Sequence, residues 1–460
     1  MKSGHRLRAS VLGAFLVLST SPMPSLAATP IDVPDLGPNT TVGRLPAGGT
    51  VIVRASQGAP VAAIELWYRA PSTGFGDKPL PAIARLAAQV VAGAKPIVGD
   101  SLGKAVSDAG GRLSIATYSD SIAITAVVPA TAARRIVKAM TTSYFAPVTS
   151  EDAFRDAVRQ VAQESLISTF DAETAVRDAI FGELFTSGPQ HYPSLGGDPK
   201  AISAISLTDV RAFASRAFRS QNATLVVSGS VDASVASAAV SGRPDADESA
   251  EAPSAPVVAA SVAPVDHAFV QASGGYGWVG PTIADQREAT AMDFIADYLF
   301  RIDDGIVARK VAESAPDALL VGQFVTLRDP GVMFVAYAGK DPAAIRSLVD
   351  DGLASIRKPL PAPAFAAALE SFKYHLLSDL QTPVEIADNF GWYSVEGSVA
   401  YAPGVNGESG AYFKAASSLS PEFVAATATK YLGKIPVVVT LAPPKSKPAA
   451  SAAPEKAKTP

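Results

Sequence analysis

SLTDVRAFASRAFRSQNATLVVSGSVD, from Ser206 to Asp232, and LSPEFVAATATKYLGKIPVVVTLAPP, from Leu419 to Pro444, are the two stretches that decide the fold. Each begins with a serine suited to cap a helix and continues with a helical segment that has an aromatic residue near its end. A turn and an apolar run typical of a buried strand follow in both. Two such similar endings indicate that the chain is a duplication of one unit.

The segments upstream of these endings also follow one order. VAAIELWYRAPSTG (61–74) and HAFVQASGGYGWVG (267–280) are strand-like, and each leads into an amphipathic helical segment. Residues 100–128 and 305–339 then each read as a helix, a turn and a hairpin of two alternating strands. The sequence therefore predicts an α+β fold of two homologous duplicated domains. Each domain is an antiparallel-rich sheet with helices packed on one face, and a flexible linker joins the two.

The N-terminus has the features of a secretory signal. Lys2, Arg6 and Arg8 precede the apolar run ASVLGAFLVLST, which ends at the small residues SLAA. This run is shorter than the about 20 residues that a bilayer-spanning helix needs. We therefore expect no membrane span, cleavage of the signal, and a periplasmic or secreted protein.

Composition sets the other boundaries and limits the partners. The stretch SGRPDADESAEAPSAPVVAASVAP, in the middle of the chain, has the Pro, Ala, Ser and acidic content of a solvated linker. A formal charge of -4 provides no basic surface for nucleic acid, and the absence of cysteine excludes a disulfide scaffold. The predicted segments are a signal peptide over 1–27, a leader over 28–46, a first domain over 47–236, the linker over 237–263, a second domain over 264–444 and a disordered tail over 445–460.

The order of elements resembles the pitrilysin and insulinase superfamily of zinc peptidases, which includes the mitochondrial processing peptidase and the core subunits of respiratory complex III. The resemblance spans about 48–444 of the sequence. It places the inverted zinc motif His-x-x-Glu-His of the family on RLAAQ, so that the motif positions are Arg85, Ala88 and Gln89. It places the third zinc ligand, a Glu, at Glu164. These four residues form a predicted degenerate zinc site.

The residues at these positions cannot provide the chemistry of a zinc peptidase. Arg85 has no lone pair to offer a cation, Gln89 is at best a weak neutral ligand, and Ala88 cannot activate water. We therefore expect no catalytic residue and no metal ligand set in this chain, and zinc only in a partner chain. With zinc absent, Arg85 is predicted to take its place and to pair with Glu164 in a structural salt bridge.

Catalytic members of the family also carry an Arg and a Tyr, seven positions apart, that orient the substrate carbonyl. Arg309 matches the Arg, whereas Pro316 stands where the Tyr would be. Arg309 is thus a candidate residue of the substrate cleft. A solvated helical arginine is the alternative reading.

The resemblance implies an exported, non-catalytic, zinc-peptidase-like subunit. Such a subunit pairs with a catalytic metallopeptidase chain and helps to enclose and bind a polypeptide substrate. One alternative is a structural scaffold subunit of an envelope complex. Another is a self-sufficient periplasmic peptidase, which would need a catalytic site that the motifs of this sequence do not reveal. The sequence leaves enzyme activity undecided and favours its absence.

Overall fold

The computed structural model describes residues 36–443, except 46–47, 57, 59, 77, 169, 193, 241–252 and 262–263. The predicted signal peptide and C-terminal tail lie outside the described residues, as do residues 28–35 and 46 of the leader and the centre of the linker. The described elements of the first half are, in chain order, β1 (Thr40–Arg44), β2 (Thr50–Ala55), β3 (Val61–Arg69), α1 (Ile83–Gly93), α2 (Leu102–Asp108), β4 (Arg112–Thr117), β5 (Ser121–Pro129), α3 (Ala133–Phe145), α4 (Glu151–Ser168), α5 (Ala172–Leu184), β6 (Phe185–Ser187), α6 (Pro199–Ala204), α7 (Leu207–Ala217) and β7 (Ala223–Gly229).

The second half repeats this order. Its described elements are β8 (Val257–Val258), β9 (Val265–Ala268), β10 (Ser273–Val279), α8 (Gln286–Phe300), α9 (Ile306–Ser314), β11 (Leu319–Val325), β12 (Val332–Ala338), α10 (Pro342–Ser355), α11 (Ala362–Ser378), α12 (Pro383–Val395), α13 (Ala411–Ser417), α14 (Pro421–Leu432) and β13 (Val437–Ala442). From β3 to β7 and from β10 to β13, helices and long strands alternate in the same way. Thus α1 corresponds to α8, α4 to α11 and α5 to α12.

The two main sheets have the same topology. The first has the order β1-β2-β7-β3-β5-β4, and the second has the order β11-β12-β10-β13-β9. In each, the closing strand pairs in parallel with the strand just before the long central one, β7 with β2 and β13 with β9; the other pairs are antiparallel, and β1 is an additional edge strand of the first sheet. The predicted α+β fold and its duplication are confirmed.

Serine caps begin the closing helix of both halves, as the sequence predicts. The Ser206 side chain accepts a hydrogen bond from the backbone N–H of Asp209 at 3.2 Å, and the Asp209 carboxylate accepts one from the backbone N–H of Ser206 at 2.9 Å, which completes a capping box. The Ser420 side chain accepts from the backbone N–H of Phe423, also at 3.2 Å. These caps fix the starts of α7 and α14, and hence the entry of the chain into β7 and β13.

Strand β3 is buried along almost its whole length because both faces of its sheet are covered. Ile64, Leu66 and Tyr68 point to one side and pack with the helices of their own half. Ala63 and Trp67 point to the other side and pack with residues of the second half. The sequence predicted helices on one face only, and the structure adds a second covering layer.

This second layer consists of one helix exchanged from each half. Helix α12 lies on β3 and β7 of the first sheet, and α5 lies on β10, β12 and β13 of the second. Glycines allow both contacts to be close. A Cβ at Gly391 of α12 would lie 2.0 Å from the Trp67 ring nitrogen, and one at Gly277 of β10 would lie 2.1 Å from Ile180 Cγ2. The exchanged helices join the two halves of residues 34–460 into one unit.

Part of the predicted linker has regular structure. A short 3-10 helix over 233–238 begins in the predicted first domain and reaches two residues into the linker, and β8, inside the linker, pairs antiparallel with β6. Within the described residues, no helix is both long enough and apolar enough to span a bilayer.

Candidate functional site

Two helices of the first half carry the predicted degenerate zinc site. Arg85 lies on α1 and Glu164 lies on α4, and these helices pack side by side. The Arg85 Nη2 atom is 2.7 Å from Glu164 Oε2, and Arg85 Nε donates to the same oxygen at 3.1 Å. Their side chains keep 22% and 39% of their exposure, so the pair lies at the edge of the core. The predicted pairing of these two residues is present in the structure.

The hydrogen bonds continue along the same two helices. Gln89 Nε2 donates to Gln160 Oε1 at 2.9 Å, and Gln160 Nε2 donates to the second carboxylate oxygen of Glu164 at 3.0 Å. Ala88 is fully buried, and its backbone carbonyl accepts a hydrogen bond from the Tyr144 hydroxyl at 2.8 Å. The side chains of Arg85, Gln89 and Glu164 are therefore joined by hydrogen bonds, either directly or through Gln160.

This arrangement does not fit a zinc ion. Zinc needs imidazole, thiolate or carboxylate donors at about 2.0 to 2.3 Å, and Glu164 alone has that chemistry here. The guanidinium of Arg85 is a permanent cation against the same carboxylate oxygen that a metal would use. Among the described residues, no group of three or more His, Asp or Glu side chains is placed to hold a metal.

Arg309 lies apart from these residues, on the exposed side of α9. It faces Tyr298 of α8, whose pKa is raised mainly by burial and lowered in part by the Arg309 charge. Arg309 does not line the cavity that lies between the two halves. Its role in a substrate cleft stays a prediction.

A cavity of about 810 Å³ lies where the two halves meet. The first half contributes aromatic side chains to its wall, and the second half contributes a strand edge and several acidic groups. Among the lining residues are Trp67, Tyr118, Gln323, Asp293, Asp297 and Trp392. Pockets of this volume are typical of ligand-binding sites.

The edges of both sheets reach this cavity. Strand β4 ends the first sheet and β11 ends the second, so within the part of the chain that the structure describes each has a side with no neighbouring strand. Thr117 at the end of β4, and the run from Gly322 to Thr326 in and after β11, line the cavity. A strand edge presents unpaired backbone N–H and C=O groups, which are the groups that bind an extended peptide.

The acidic wall of the cavity comes from α8 and its neighbours. The Tyr412 hydroxyl donates to Asp293 Oδ2 at 2.6 Å, and burial raises the pKa of Asp293 to about 7. Asp297, one helical turn further, lies 3.0 Å from His375 Nδ1 of α11. Burial also raises the pKa of Asp297, whereas His375 and Arg301 oppose this shift. The site thus combines carboxyl groups of raised pKa with a histidine.

Three aromatic rings close the opposite wall. Trp67 stacks on Tyr118 with ring centroids 5.8 Å apart, and Trp392 of α12 meets Tyr118 edge-on at 4.9 Å. The Trp67 indole N–H donates to Glu65 at 2.7 Å. Burial, followed by the charges of Asp388 and Glu65, raises the pKa of Tyr118 to about 12. These rings are packed together and give the cavity a rigid apolar side.

Sequence reasoning did not identify the cavity residues or the buried acids beside them. One signal was present, because Glu65 interrupts the apolar strand VAAIELWYR and is nevertheless fully buried. A charged residue in the middle of such a strand rarely lacks a partner. Its partner comes from α12, more than 300 residues later, and no local pattern identifies it.

No family model matches the sequence, and no curated protein sequence matches it. Solved structures do match it. A protease from Helicobacter pylori superposes with a TM-score of 0.73 at 16% identity, over 88% of this chain and 100% of that one. A peptidase M16 inactive domain from Pseudomonas fluorescens superposes with a TM-score of 0.69 at 18% identity, over 88% of this chain and 98% of that one.

A chain of complex III2 from Candida albicans is similar as well. Its TM-score is 0.70 at 12% identity, and the match covers 87% of this chain and 95% of that one. All three matches cover nearly the whole described chain, and all three fall far below the identity at which function transfers. They establish the fold and leave the function to the residues of the site.

Proposed function

Since the chain has the fold of the M16-like peptidases, the pitrilysin and insulinase superfamily, we propose that it is a non-catalytic, peptidase-like subunit. It pairs with a catalytic zinc-peptidase chain and helps to enclose and bind a polypeptide substrate. The observation that carries this proposal is the ion pair between Arg85 and Glu164, which stands where the family pattern places the zinc. A peptidase-like chain with this pair can bind a peptide without hydrolysing it.

The cavity supports the binding part of the proposal. Two strand edges reach it from opposite halves, and its walls supply aromatic and carboxyl groups. Backbone hydrogen bonds to β4 or β11 would hold an extended peptide with no need for a metal. The similarity to an inactive M16 domain is compatible with this role.

The first experiment measures hydrolysis and metal content of the purified chain lacking residues 1–27. We expect no zinc at stoichiometric level and no peptide cleavage, with or without added zinc. A partner captured from the native envelope should contain zinc and cleave peptides, and reconstitution with this chain should raise its kcat/KM. Peptide cleavage by the chain alone that persists when inhibitors of contaminating peptidases are added would overturn the proposal.

Peptide binding is tested separately with a library of labelled unstructured peptides. Gln323→Trp places a bulky ring in the cavity beside β11 and should weaken binding. Glu313→Trp, on the exposed side of α9 and outside the cavity, is the matched control and should bind as the parent does. Equal loss in both variants, or no binding by the parent, argues against a substrate-binding cavity.

A scaffold subunit is the second candidate function, and the similarity to a chain of complex III2 favours it. It predicts a stable assembly that survives purification and has no affinity for free peptides. The peptide titration therefore separates the two candidates.

We also propose that the protein is exported. The basic start and apolar run of the N-terminal segment support this, and they lie outside the described residues. Mass spectrometry of the protein from the periplasmic fraction should find a mature N-terminus after Ala27 or Ala28. An intact N-terminus in the cytosol would exclude export.

A further inference from the structure

Helix α12 contacts the first sheet through two pairs of carboxyl groups. Asp388 of α12 is in hydrogen-bonding contact with Glu65 of β3. Glu396, just after the C-terminal end of α12, has its carboxyl group close to that of Asp120, in the turn between β4 and β5, and a hydrogen bond between the two requires that one of them is protonated. In both pairs, one carboxyl group belongs to the first half and the other to the second. The proposed function makes no use of either pair.

Three of these four carboxyl groups are deeply buried, whereas Asp388 is partly exposed and lines the cavity. Glu65, Asp120 and Glu396 have no exposed surface. Two ionised carboxylates in contact repel each other, and burial removes the water that would screen them. A pair of this kind is stable when one proton is shared, because the protonated group then donates a hydrogen bond to the other.

At the pair of Asp120 and Glu396, buried oxygens without hydrogen-bond partners also indicate a shared proton. Both carboxyl oxygens of Asp120 and the Oε1 atom of Glu396 are buried and have no hydrogen-bond partner among the described residues. The other oxygen of Glu396 accepts from the backbone N–H of Arg328 at 2.8 Å. Buried oxygens without donors are rare in folded proteins. One proton shared between Asp120 and Glu396 gives a hydrogen bond to two of these three oxygens.

Charged neighbours of the second pair only partly offset its charge. Arg69 of β3 approaches Asp120 at 3.9 Å, which is an ion-pair distance and longer than a hydrogen bond. Arg69 also pairs with Asp329 at 3.4 Å, so its charge is divided. The Arg328 guanidinium donates to the backbone carbonyl groups of Val395 and Glu396.

The first pair has no cation among the groups that face it. Trp67 donates to Glu65 from its ring nitrogen, and the Thr125 hydroxyl of β5 donates to the other oxygen of Glu65 at 3.3 Å. The remaining titratable groups near this pair are Tyr118, from the first sheet, and Glu385, on α12 itself. Neither provides a positive charge.

We propose that the two carboxyl pairs are proton-dependent latches that hold α12, and with it the second half, on the first sheet. The latches close when each pair shares a proton and loosen when both groups of a pair ionise. The tightness of the contact between the halves, and with it access to the cavity that they form, then depends on pH.

The direction of this dependence follows from the pKa shifts. Burial raises the pKa of Glu65 and of Glu396 well above the ordinary value, and the carboxyl group opposite raises each further. Burial also raises the pKa of Asp120 and Asp388. A folded-state pKa above the unfolded one gives stability that is complete at low pH and is lost as pH rises toward the folded-state pKa. The latches therefore loosen as pH rises above the ordinary carboxyl pKa of about 4.

Hydrogen exchange of α12 amides, corrected for the intrinsic pH dependence of exchange, tests this. In the parent chain, protection of α12 should fall by at least about tenfold as pH rises from about 5, just above the ordinary carboxyl pKa, to about 9. The double variant Glu65→Gln, Glu396→Gln keeps the size of both side chains and leaves each pair with a single ionisable group, so that two charges can no longer face each other. Its α12 protection should stay constant over this range. Glu183→Gln, which changes an exposed acid on α5, is the matched control and should follow the parent.

Infrared spectroscopy of the parent chain gives a second measurement that does not depend on the variant folding. Protonated carboxyl groups absorb apart from carboxylates, and the parent should retain this absorption at neutral pH and lose it at alkaline pH together with α12 protection. Absence of the absorption at neutral pH would overturn the proposal. So would a double variant whose α12 protection falls with pH as the parent's does.

Discussion

The helix pair α1 and α4 in the first half and the corresponding pair α8 and α11 in the second present opposite chemistry. Glu164 and His375 lie at equivalent places, each thirteen residues after the first residue of its helix. Glu164 meets the cation of Arg85, and His375 meets the carboxyl group of Asp297. Each helix pair thus brings a basic and an acidic side chain together, but α4 carries the acidic one in the first half whereas the corresponding helix α11 carries the basic one in the second half.

The two pairs also differ in burial and in what surrounds them. Asp297 and His375 each keep 13% of their side-chain exposure, and Asp297 lines the cavity together with Asp293. Arg85 and Glu164 are more exposed and do not line it. A second carboxylate, Asp304, lies 3.2 Å from the other ring nitrogen of His375. The comparison teaches that the first pair is neutralised and satisfied, while the second presents acidic groups to the cavity.

Conversion of the first pair into a metal site is the largest change we expect. Arg85→His together with Gln89→His places two imidazoles four residues apart on α1, facing Glu164 across the helix contact. With three protein ligands, we expect zinc binding at about micromolar affinity or tighter, which is about 8 kcal/mol. Equilibrium dialysis with metal analysis measures it.

The control for this variant adds Glu164→Gln. Loss of the third ligand should weaken zinc binding at least about tenfold, or about 1.4 kcal/mol. If zinc binds equally well with and without Glu164, or binds in neither variant, then α1 and α4 do not retain the geometry of a metal site, and the placement of the motif on Arg85 and Gln89 is wrong.

The next largest effect should be the pH dependence of the free energy of unfolding that Asp293, the neighbour of Asp297, causes. Because burial raises the pKa of Asp293 to about 7, its contribution to stability is complete at low pH and is lost as pH rises toward that value. Relative to the parent, Asp293→Asn should gain roughly 2 to 4 kcal/mol between about pH 4 and about pH 8. Urea unfolding at each pH measures the difference.

An exposed neighbour provides the comparison for Asp293. Asp303→Asn changes an exposed carboxylate between α8 and α9 and should track the parent at every pH. If the difference in free energy of unfolding between Asp293→Asn and the parent does not vary with pH, then Asp293 stays ionised over this range and burial does not raise its pKa.

Removal of the acid from the second pair should have an intermediate effect. Asp297→Ala leaves His375 without the partner of its Nδ1 atom and removes one of the two carboxylates near Arg301. Because these groups are largely buried, we expect a loss of about 2 kcal/mol in the free energy of unfolding at pH 7. Asp297→Asn, which keeps a hydrogen-bond acceptor, should lose less. Equal losses would indicate that the charge of Asp297, and no hydrogen bond, holds the helices together.

Much of this comparison could be predicted from sequence where the pattern was local. The serine caps at Ser206 and Ser420, the order of elements and the duplication depend on short-range signals, and the structure confirms them. The contact of Arg85 with Glu164 was also predicted, because the family pattern supplied the position of a partner 79 residues away. The known family pattern thus allowed a long-range contact to be predicted from the sequence.

The exchanged helices were not predicted, for a physical reason. Helix α12 places Gly391 against Trp67 of the first sheet, and no pattern in its own sequence indicates that direction. Its amphipathic pattern shows that one face is buried without showing against which sheet. The pairs of Glu65 with Asp388 and of Asp120 with Glu396 join residues hundreds of positions apart, and the cavity depends on the same exchange.

The smallest expected effect comes from the first pair itself. Glu164→Gln keeps the size of the side chain and an acceptor for Arg85 but removes the charge. Because both side chains are partly exposed, we expect a loss of about 0.5 to 1 kcal/mol in urea unfolding, with an unchanged dependence on urea concentration. Asp156→Asn, in a far more exposed pair with Arg159 on the same helix, should lose less. If the two losses are equal, the Arg85 pair behaves as an ordinary surface ion pair, and the contrast with the buried pair of Asp297 and His375 becomes sharper.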